Sequence, residues 1–133
     1  MKCRESGFTV IELVVFFVIL VVLGAFFWIQ KADLESSFDD QQRKTAINAI
    51  YYNLKEVFYP QNGHYPSQID ESKLKAIDPE LFFDPYGLTF GETDSDYFYE
   101  GLNCDNEGRC QDFRLSSEME KEAKYVRTGS EKE

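Results

Sequence analysis

The residue whose surroundings most need a chemical explanation is Glu12. It precedes a run of 17 residues, 13–29, that contains no charged side chain. With residues 8–11 added, the apolar stretch reaches 22 residues, about 33 Å of helix at roughly 1.5 Å per residue. A carboxylate inside hydrocarbon costs about 2.5–3.5 kcal/mol. Glu12 is therefore expected either to pair with a cation or to extend to the membrane surface, one turn from the helix start.

Two cysteines, Cys104 and Cys110, bracket a short loop between two predicted strands. A disulfide across such a hairpin would stabilise the chain by about 2 kcal/mol, and oxidation is expected if the body of the protein is exported. The alternatives are a reduced pair and a zinc site. Two cysteines with one distant histidine, His64, are a poor set of ligands for zinc.

Acidic side chains at Asp94, Asp96 and Asp105 are weak candidates for a calcium site. Ca²⁺ takes 6–8 oxygen ligands, but the spacing fits no EF-hand loop, and a solvated acidic surface is the favoured interpretation. His64 lies in a turn rich in Pro and Gly, without a nucleophile or an acidic partner at a useful spacing. The sequence also lacks a phosphate-binding loop, a dinucleotide fingerprint and a zinc-protease motif. We predict that the protein is not an enzyme.

The apolar stretch around Glu12 is long enough to cross a membrane, since roughly 20 helical residues span the hydrocarbon core. Residues 1–7 carry a net charge of +1 and residues 30–133 a net charge of −10. This distribution predicts a single span with a cytoplasmic N-terminus and an external body. A cleaved secretory signal is the alternative, but the apolar run exceeds a usual signal core and no small-residue cleavage site follows it.

The helix is predicted to continue beyond the membrane, because no Pro or Gly occurs between Ala25 and Pro60. Phe38 lies half a turn from Ile47 on an ideal helix. Either one helix has two faces, for its own domain and for other subunits, or a break within residues 36–44 resets the phase. A stripe of apolar residues at helical spacing predicts the face that packs on a core: Ile47, Ile50, Tyr51, Leu54, Val57 and Phe58.

Turn residues then divide the rest of the chain. Pro60 and Gly63 are expected to end the helix, and residues 67–77 are predicted to form a short helix capped by Ser67 or Asp70. Strands are expected at residues 88–90, 97–102 and 111–120, in a three- or four-stranded antiparallel sheet across the outer half of the long helix. The predicted fold class is α+β. Its parts are residues 30–59 as the outer helix, 60–120 as a globular head and 121–133 as a flexible tail.

The N-terminal segment KCRESGFTVIELVVFFVIL resembles the prepilin signature of type IV pilins and pseudopilins. A short charged leader ends in Gly7 and is followed by Phe8, a threonine, two hydrophobic residues, Glu12 and the apolar helix. The resemblance implies that prepilin peptidase cuts after Gly7 and methylates the new amine of Phe8. The cut removes residues 1–7, including Cys3.

The same resemblance implies how mature chains assemble. Residues 8–29 would form the core of a helical filament, in which Glu12 meets the N-terminal amine of a neighbouring subunit. The segment YYNLKEVFYPQNGHYPSQI also resembles the place where the long helix of many pilins ends in a Gly-x-Tyr-Pro turn. A C-terminal cysteine pair, here Cys104 and Cys110, agrees with the family. The chain departs from many members by having no Pro before Pro60, so Gly24 is the weakest point of the helix.

Together these features predict a structural subunit of a type IV pilus or related pseudopilus, serving motility and adhesion, secretion or DNA uptake. The expected partners are other copies of itself, related minor pilins, prepilin peptidase, the assembly platform and the membrane. The chain is expected in the inner membrane before assembly and in an extracellular pilus afterwards. No nucleic-acid partner is expected, because no cluster of Lys and Arg follows Ile29. The alternative is a single-pass, membrane-anchored extracellular binding protein that forms no filament.

Overall fold

A computed structural model describes residues 9–74 and 76–130. The chain divides into two compact units, with the division between Glu35 and Ser36. The first unit is helical throughout its described part. The second contains the remaining helix and a small antiparallel sheet on which that helix packs. The fold class is therefore α+β, as the sequence predicted.

Helix α1 spans Val10–Tyr52. It runs without interruption through residues 36–44, so the explanation that a break there resets the helical phase is wrong. Phe38 is 69% exposed, whereas Ile47 is fully buried. The two residues thus lie on different faces of one continuous helix, and the buried face is the one that the apolar stripe predicted.

Of the two residues expected to end the helix, Gly63 does so and Pro60 does not. A π-helical turn, Asn53–Phe58, follows α1, and a last α-helical turn, α2, spans Tyr59–Asn62. The wide turn shifts the bonding pattern by one residue, and Pro60 lies in the first turn of α2. Gly63 ends the helix with a φ of 72°, a left-handed conformation that favours glycine.

Four strands form one antiparallel sheet: β1 (Tyr65–Pro66), β2 (Tyr97–Cys104), β3 (Arg109–Ser117) and β4 (Tyr125–Thr128). Strand β3 is central. It pairs with β2 along one edge, and with β1 and β4 at its two ends along the other. The expected sheet of three or four strands is confirmed, but residues 88–90 form no strand, because Thr89 makes only an isolated bridge to Phe83.

Strand β4 corrects the expectation that residues 121–133 form a flexible tail. It pairs with the C-terminal half of β3, and the Tyr125 hydroxyl donates a hydrogen bond to Oδ1 of Asn48 at 3.0 Å. Arg127 donates to the same oxygen at 3.1 Å. The head therefore extends beyond residue 120 to include β4, while residues 131–133 lie outside the described part.

The short helix expected over residues 67–77 is also wrong for the residues described there. Oδ1 of Asp70 accepts hydrogen bonds from the N–H groups of Ser72 and Lys73 at 2.9 and 3.0 Å, and only a turn forms. An aspartate that bonds its own nearby backbone competes with helix formation. A 3₁₀ helix, Pro79–Phe82, follows instead.

The hydrophobic core lies between the helix and the sheet. Ile47, Ile50, Tyr51 and Leu54 are fully buried, in agreement with the predicted stripe, while the last two members of that stripe are half-buried. Phe113 from β3 is the centre of an aromatic cluster. Its ring contacts three tyrosines at centroid distances of 4.6 to 6.2 Å: Tyr51, Tyr65 and Tyr99.

Candidate functional site

Glu12 takes part in a capping box at the start of α1. Oε2 of Glu12 accepts hydrogen bonds from the backbone N–H of Thr9 at 2.9 Å and from the Thr9 hydroxyl at 3.0 Å. The Glu12 N–H in turn donates to Oγ1 of Thr9 at 3.3 Å. This reciprocal pattern satisfies two N–H groups that a helix start otherwise leaves without partners. The capping box was not predicted from the sequence, although its signal, Thr-x-x-Glu before an apolar run, is present there.

The capping box leaves part of the carboxylate available. Both bonds from Thr9 use Oε2, and Oε1 accepts no hydrogen bond from any residue that the structure describes. A shallow groove of about 360 Å³ surrounds the carboxylate on one face of the helix. Its other lining residues are all apolar: Ile11, Val15, Phe16 and Ile19. A cation that reached Oε1 in this groove would meet a single carboxylate among apolar side chains.

The apolar surface of α1 between Val10 and Ile29 is exposed in the described part of the chain. Large side chains from Val10 to Ile29 are 47–82% exposed, and the helix is long and apolar enough to cross a membrane by length and composition. A signal sequence near an N-terminus meets the same criteria of length and composition. The processing residues Gly7 and Phe8, and Cys3, lie outside the described residues.

A buried arginine connects the helix to distant parts of the head. Arg43 is 1% exposed, and its guanidinium contacts carboxylates of Asp40 at 2.9 Å, Asp96 at 2.8 Å and Glu120 at 3.2 Å. Asp40 also accepts hydrogen bonds from the backbone N–H groups of Glu120 and Lys121 at 2.9 and 3.0 Å. We call Asp40, Arg43, Asp96 and Glu120 the polar clamp. It fastens the loop between β3 and β4 to α1.

The polar clamp shifts the ionisation of its members. Burial disfavours the charged form of Asp40, but two backbone N–H groups and Arg43 outweigh this and hold its pKa below the usual range. Burial likewise opposes the charge on Arg43, whose pKa is nevertheless raised by its bonds to Asp96 and Glu120. Hydrogen bonds, led by that of the Ser36 hydroxyl, lower the pKa of Glu120. Asp40, Arg43 and Glu120 are thus held in their charged forms.

The sequence offered one signal for the polar clamp. Arg43 and Asp40 lie four and seven residues before Ile47, so they continue the buried face of the helix. A charged residue on a buried face requires a partner. The other partners of Arg43, which are Asp96 and Glu120, are 53 and 77 residues away in the chain. Spacing along the sequence alone could not identify them.

Cys104 and Cys110 form a disulfide in the structure. They are paired residues of β2 and β3, and the bridge lies over Gly101, where an added Cβ would approach Sγ of Cys110 to 2.6 Å. The bridge closes a hairpin whose loop is fixed by Asp105, since Oδ1 of Asp105 accepts the N–H groups of Glu107 and Arg109, both at 2.9 Å. The structure thus contains the disulfide that was predicted across the hairpin loop.

The three calcium candidates have different surroundings. Asp96 belongs to the polar clamp, whereas Asp105 pairs with Arg109 at 2.7 Å, and the whole of β2 separates the two. Asp94 occupies a left-handed turn position with a φ of 68°. Among the residues that the structure describes, no group of three or more His, Cys, Asp or Glu side chains is arranged to hold a metal ion.

No family model, curated protein or solved structure matches this chain. The resemblance to type IV pilins and pseudopilins therefore rests on the sequence motifs themselves. The structure itself shows a capped Glu12, an exposed apolar helix surface between Val10 and Ile29, and a head with its own hydrophobic core.

Proposed function

We propose that this chain is a structural subunit of a type IV pilus or a related pseudopilus. The observation that carries the proposal is the exposed apolar surface of α1 with a single carboxylate, Glu12, inside it. Such a surface needs either lipid or other apolar helices around it. A subunit that moves from a membrane into a filament uses the two environments in turn.

In this assembly Glu12 has a second role besides capping the start of the helix. Oε2 accepts hydrogen bonds from Thr9, and Oε1 accepts a hydrogen bond from the positively charged N-terminal amine of an adjoining subunit. Between packed apolar helices the charge pair is attractive and sets the axial register of one helix on the next. An unpaired carboxylate in the same position would be costly, so a mismatched neighbour is rejected.

The proposed path of the chain begins in the inner membrane, with residues 1–7 in the cytoplasm. Prepilin peptidase cuts after Gly7, and the assembly platform then draws residues 8–29 into the filament with other copies and minor pilins. The acidic head is displayed outside the cell, where its disulfide is compatible with an oxidising compartment. The chain is a substrate of enzymes rather than an enzyme.

The test separates the two roles of Glu12. Glu12→Gln keeps an acceptor for the Thr9 N–H, since glutamine also forms capping boxes, but removes the charge. Thr9→Val removes the capping hydroxyl and keeps the charge. In the producing cell, we expect Glu12→Gln to abolish surface fibres recovered by shearing and Thr9→Val to preserve them.

Both variants need a control for processing, provided by the mass of the N-terminal fragment. We expect each mature chain to begin at methylated Phe8, so that loss of fibres reflects assembly. Fibres that form normally with Glu12→Gln would contradict the charge pair. Retention of Met1 to Gly7 in the wild-type chain would contradict the family assignment.

The capping box supports one other function. Because Thr9 alone accounts for Oε2 of Glu12, the carboxylate has a structural role that requires no second subunit. The chain would then be a single-pass anchor for an extracellular binding head. Full membrane retention of the wild-type chain, with no sheared fibre that contains it, would favour this second function.

A further inference from the structure

A polar cleft opens where the long helix ends beside the β2–β3 hairpin. Its volume is about 570 Å³, within the roughly 300–1,000 Å³ range of small-molecule sites. The helix end contributes Tyr59, Asn62 and His64, and the hairpin contributes Asn103, Arg109 and Gln111. Neither Glu12 nor any residue of the polar clamp lines this cleft.

Both walls of the cleft are fixed by local structure. Gly63 turns the chain out of α2 in a left-handed conformation and donates its N–H to the Tyr59 carbonyl at 2.7 Å. The opposite wall is closed by the Cys104–Cys110 disulfide and the Asp105 turn. A ligand would therefore meet a site that needs little ordering on binding, which favours affinity.

The cleft combines an aromatic surface with amides. One face of the Tyr59 ring stacks on Tyr65 at 4.8 Å, and Tyr59 is still 42% exposed. Within the described residues, the side-chain amides of Asn103 and Gln111 make no hydrogen bond, so each offers both donors and an acceptor.

His64 adds an acceptor to the cleft. Its Nδ1 lies 2.8 Å from the Asn62 carbonyl oxygen. A carbonyl can only accept, so Nδ1 carries the proton, and Nε2 of the neutral ring is an acceptor.

The charges in the cleft are already paired with each other. Nε of Arg109 lies 2.7 Å from Oδ2 of Asp105, and Nη2 of Arg109 lies 3.0 Å from Oε2 of Glu107. An anionic ligand would compete with two carboxylates for this guanidinium, and a cationic ligand would compete with Arg109 for Asp105. The arrangement therefore disfavours charged ligands, and the polar lining disfavours apolar ones.

We propose that this cleft binds a neutral saccharide. The C–H face of a pyranose packs on an aromatic ring, and its hydroxyls both donate and accept, as do the amides of Asn103 and Gln111. The site is a property of the second unit. It does not depend on filament formation, so its failure and the failure of the proposed function are separate outcomes.

The experiment uses the full chain in deuterated dodecylphosphocholine micelles, whose headgroup contains no sugar. Saturation-transfer difference NMR measures binding of three neutral probes: maltotriose, cellotriose and the trisaccharide of N-acetylglucosamine. A sulfated heparin disaccharide is the anionic comparison. We expect at least one neutral probe to receive saturation through its ring protons, and the sulfated probe to receive none.

Variants locate the binding site. Tyr59→Ala is expected to weaken binding about tenfold, from the loss of one aromatic contact, and Gln111→Ala is expected to weaken it less. The matched control is Tyr52→Ala, since Tyr52 lies on the same helix, is 45% exposed and does not line the cleft. Gln42→Ala is the control for the amide. Both control variants are expected to bind as the wild type does.

Three results would overturn the proposal. One is the absence of transfer to all three neutral probes. Another is binding that Tyr59→Ala and Gln111→Ala leave unchanged, which would place the sugar elsewhere. The third is equal or stronger binding of the sulfated disaccharide with the same sensitivity to Tyr59→Ala, which would make the cleft an anion site. Far-UV circular dichroism of each variant confirms that the head is folded in the samples compared.

Discussion

The two units of this chain treat hydrophobic surface in opposite ways. The helix before Ser36 leaves its large apolar side chains exposed. The unit after it buries an aromatic core and holds charged groups with that core, since Arg43 and Asp40 are both nearly inaccessible to solvent. The first unit therefore depends on its surroundings for stability, and the second contains the interactions that stabilise it.

This difference assigns different consequences to mutations. In the second unit, a substitution of a buried residue should change the free energy of unfolding, because the buried side chains are closely packed. In the first unit, whose large apolar side chains from Val10 to Ile29 are exposed, a substitution should change only local helix stability or association with other molecules.

Arg43→Ala should destabilise the second unit most. The substitution leaves the carboxylates of Asp40, Asp96 and Glu120 close together without their cation, and loss of one partner of a buried pair costs about 3–5 kcal/mol. Urea unfolding of the full chain in micelles, followed by tyrosine circular dichroism, measures the change. Lys44→Ala is the control: its partner Glu122 is exposed, and such a pair is worth about 0–1 kcal/mol. Equal effects of both substitutions would show that the polar clamp is not a stabilising unit.

Gly101→Ala should cost about 1–3 kcal/mol, the usual penalty for overpacking. The added Cβ would lie 2.6 Å from Sγ of Cys110 and 3.1 Å from Sγ of Cys104. Urea unfolding of the oxidised protein measures the penalty. Reduction provides the control, because separate thiols can move away from the new methyl group. A penalty that is unchanged after reduction would mean that the conflict lies with the Pro66 carbonyl, also 3.1 Å away.

The sequence predicted the elements that local rules determine. The buried stripe from Ile47, the antiparallel sheet and the disulfide hairpin all follow from short-range spacing. Pro60 was expected to help end the helix, but it lies in the first turn of α2, after the π-helical turn. Strand β4 was missed because residues 121–133 are largely charged. Its pairing with β3 and the hydrogen bond from Tyr125 to Asn48 nevertheless hold it in the sheet. Of the candidate sites, Glu12 was visible in sequence, whereas the polar clamp and the cleft join segments that only the fold brings together.

Acid should destabilise the second unit in a way that Asp40→Asn reduces. The pKa of Asp40 lies below its usual value of about 3.9 because backbone N–H groups and Arg43 outweigh the effect of burial. A lowered pKa contributes stability above the unfolded-state value, and that contribution is lost as the pH falls through the folded-state value. Unfolding free energies between pH 7 and pH 2 measure this loss.

The variant should be less stable than the wild type at pH 7, and the two should converge in acid. Glu120, whose pKa is lowered by Ser36, Tyr86 and Arg43, keeps a smaller acid transition in the variant. Asp39→Asn, which removes a charge from the same turn, should preserve the wild-type profile. Parallel curves for the wild type and Asp40→Asn would contradict the role assigned to the buried carboxylate.

Gly24→Ala should have the smallest effect and the opposite sign to Gly101→Ala. An added Cβ at Gly24 meets nothing within 4 Å, and Ala is favoured over Gly in a helix interior by up to about 1 kcal/mol. Amide hydrogen exchange of residues 20–28 in micelles should therefore slow by about fivefold. The urea midpoint of the head should not change, because the helix before Ser36 forms a separate unit. A shifted midpoint would show that the units are energetically coupled, and the division between an environment-dependent helix and a self-supporting head would then fail.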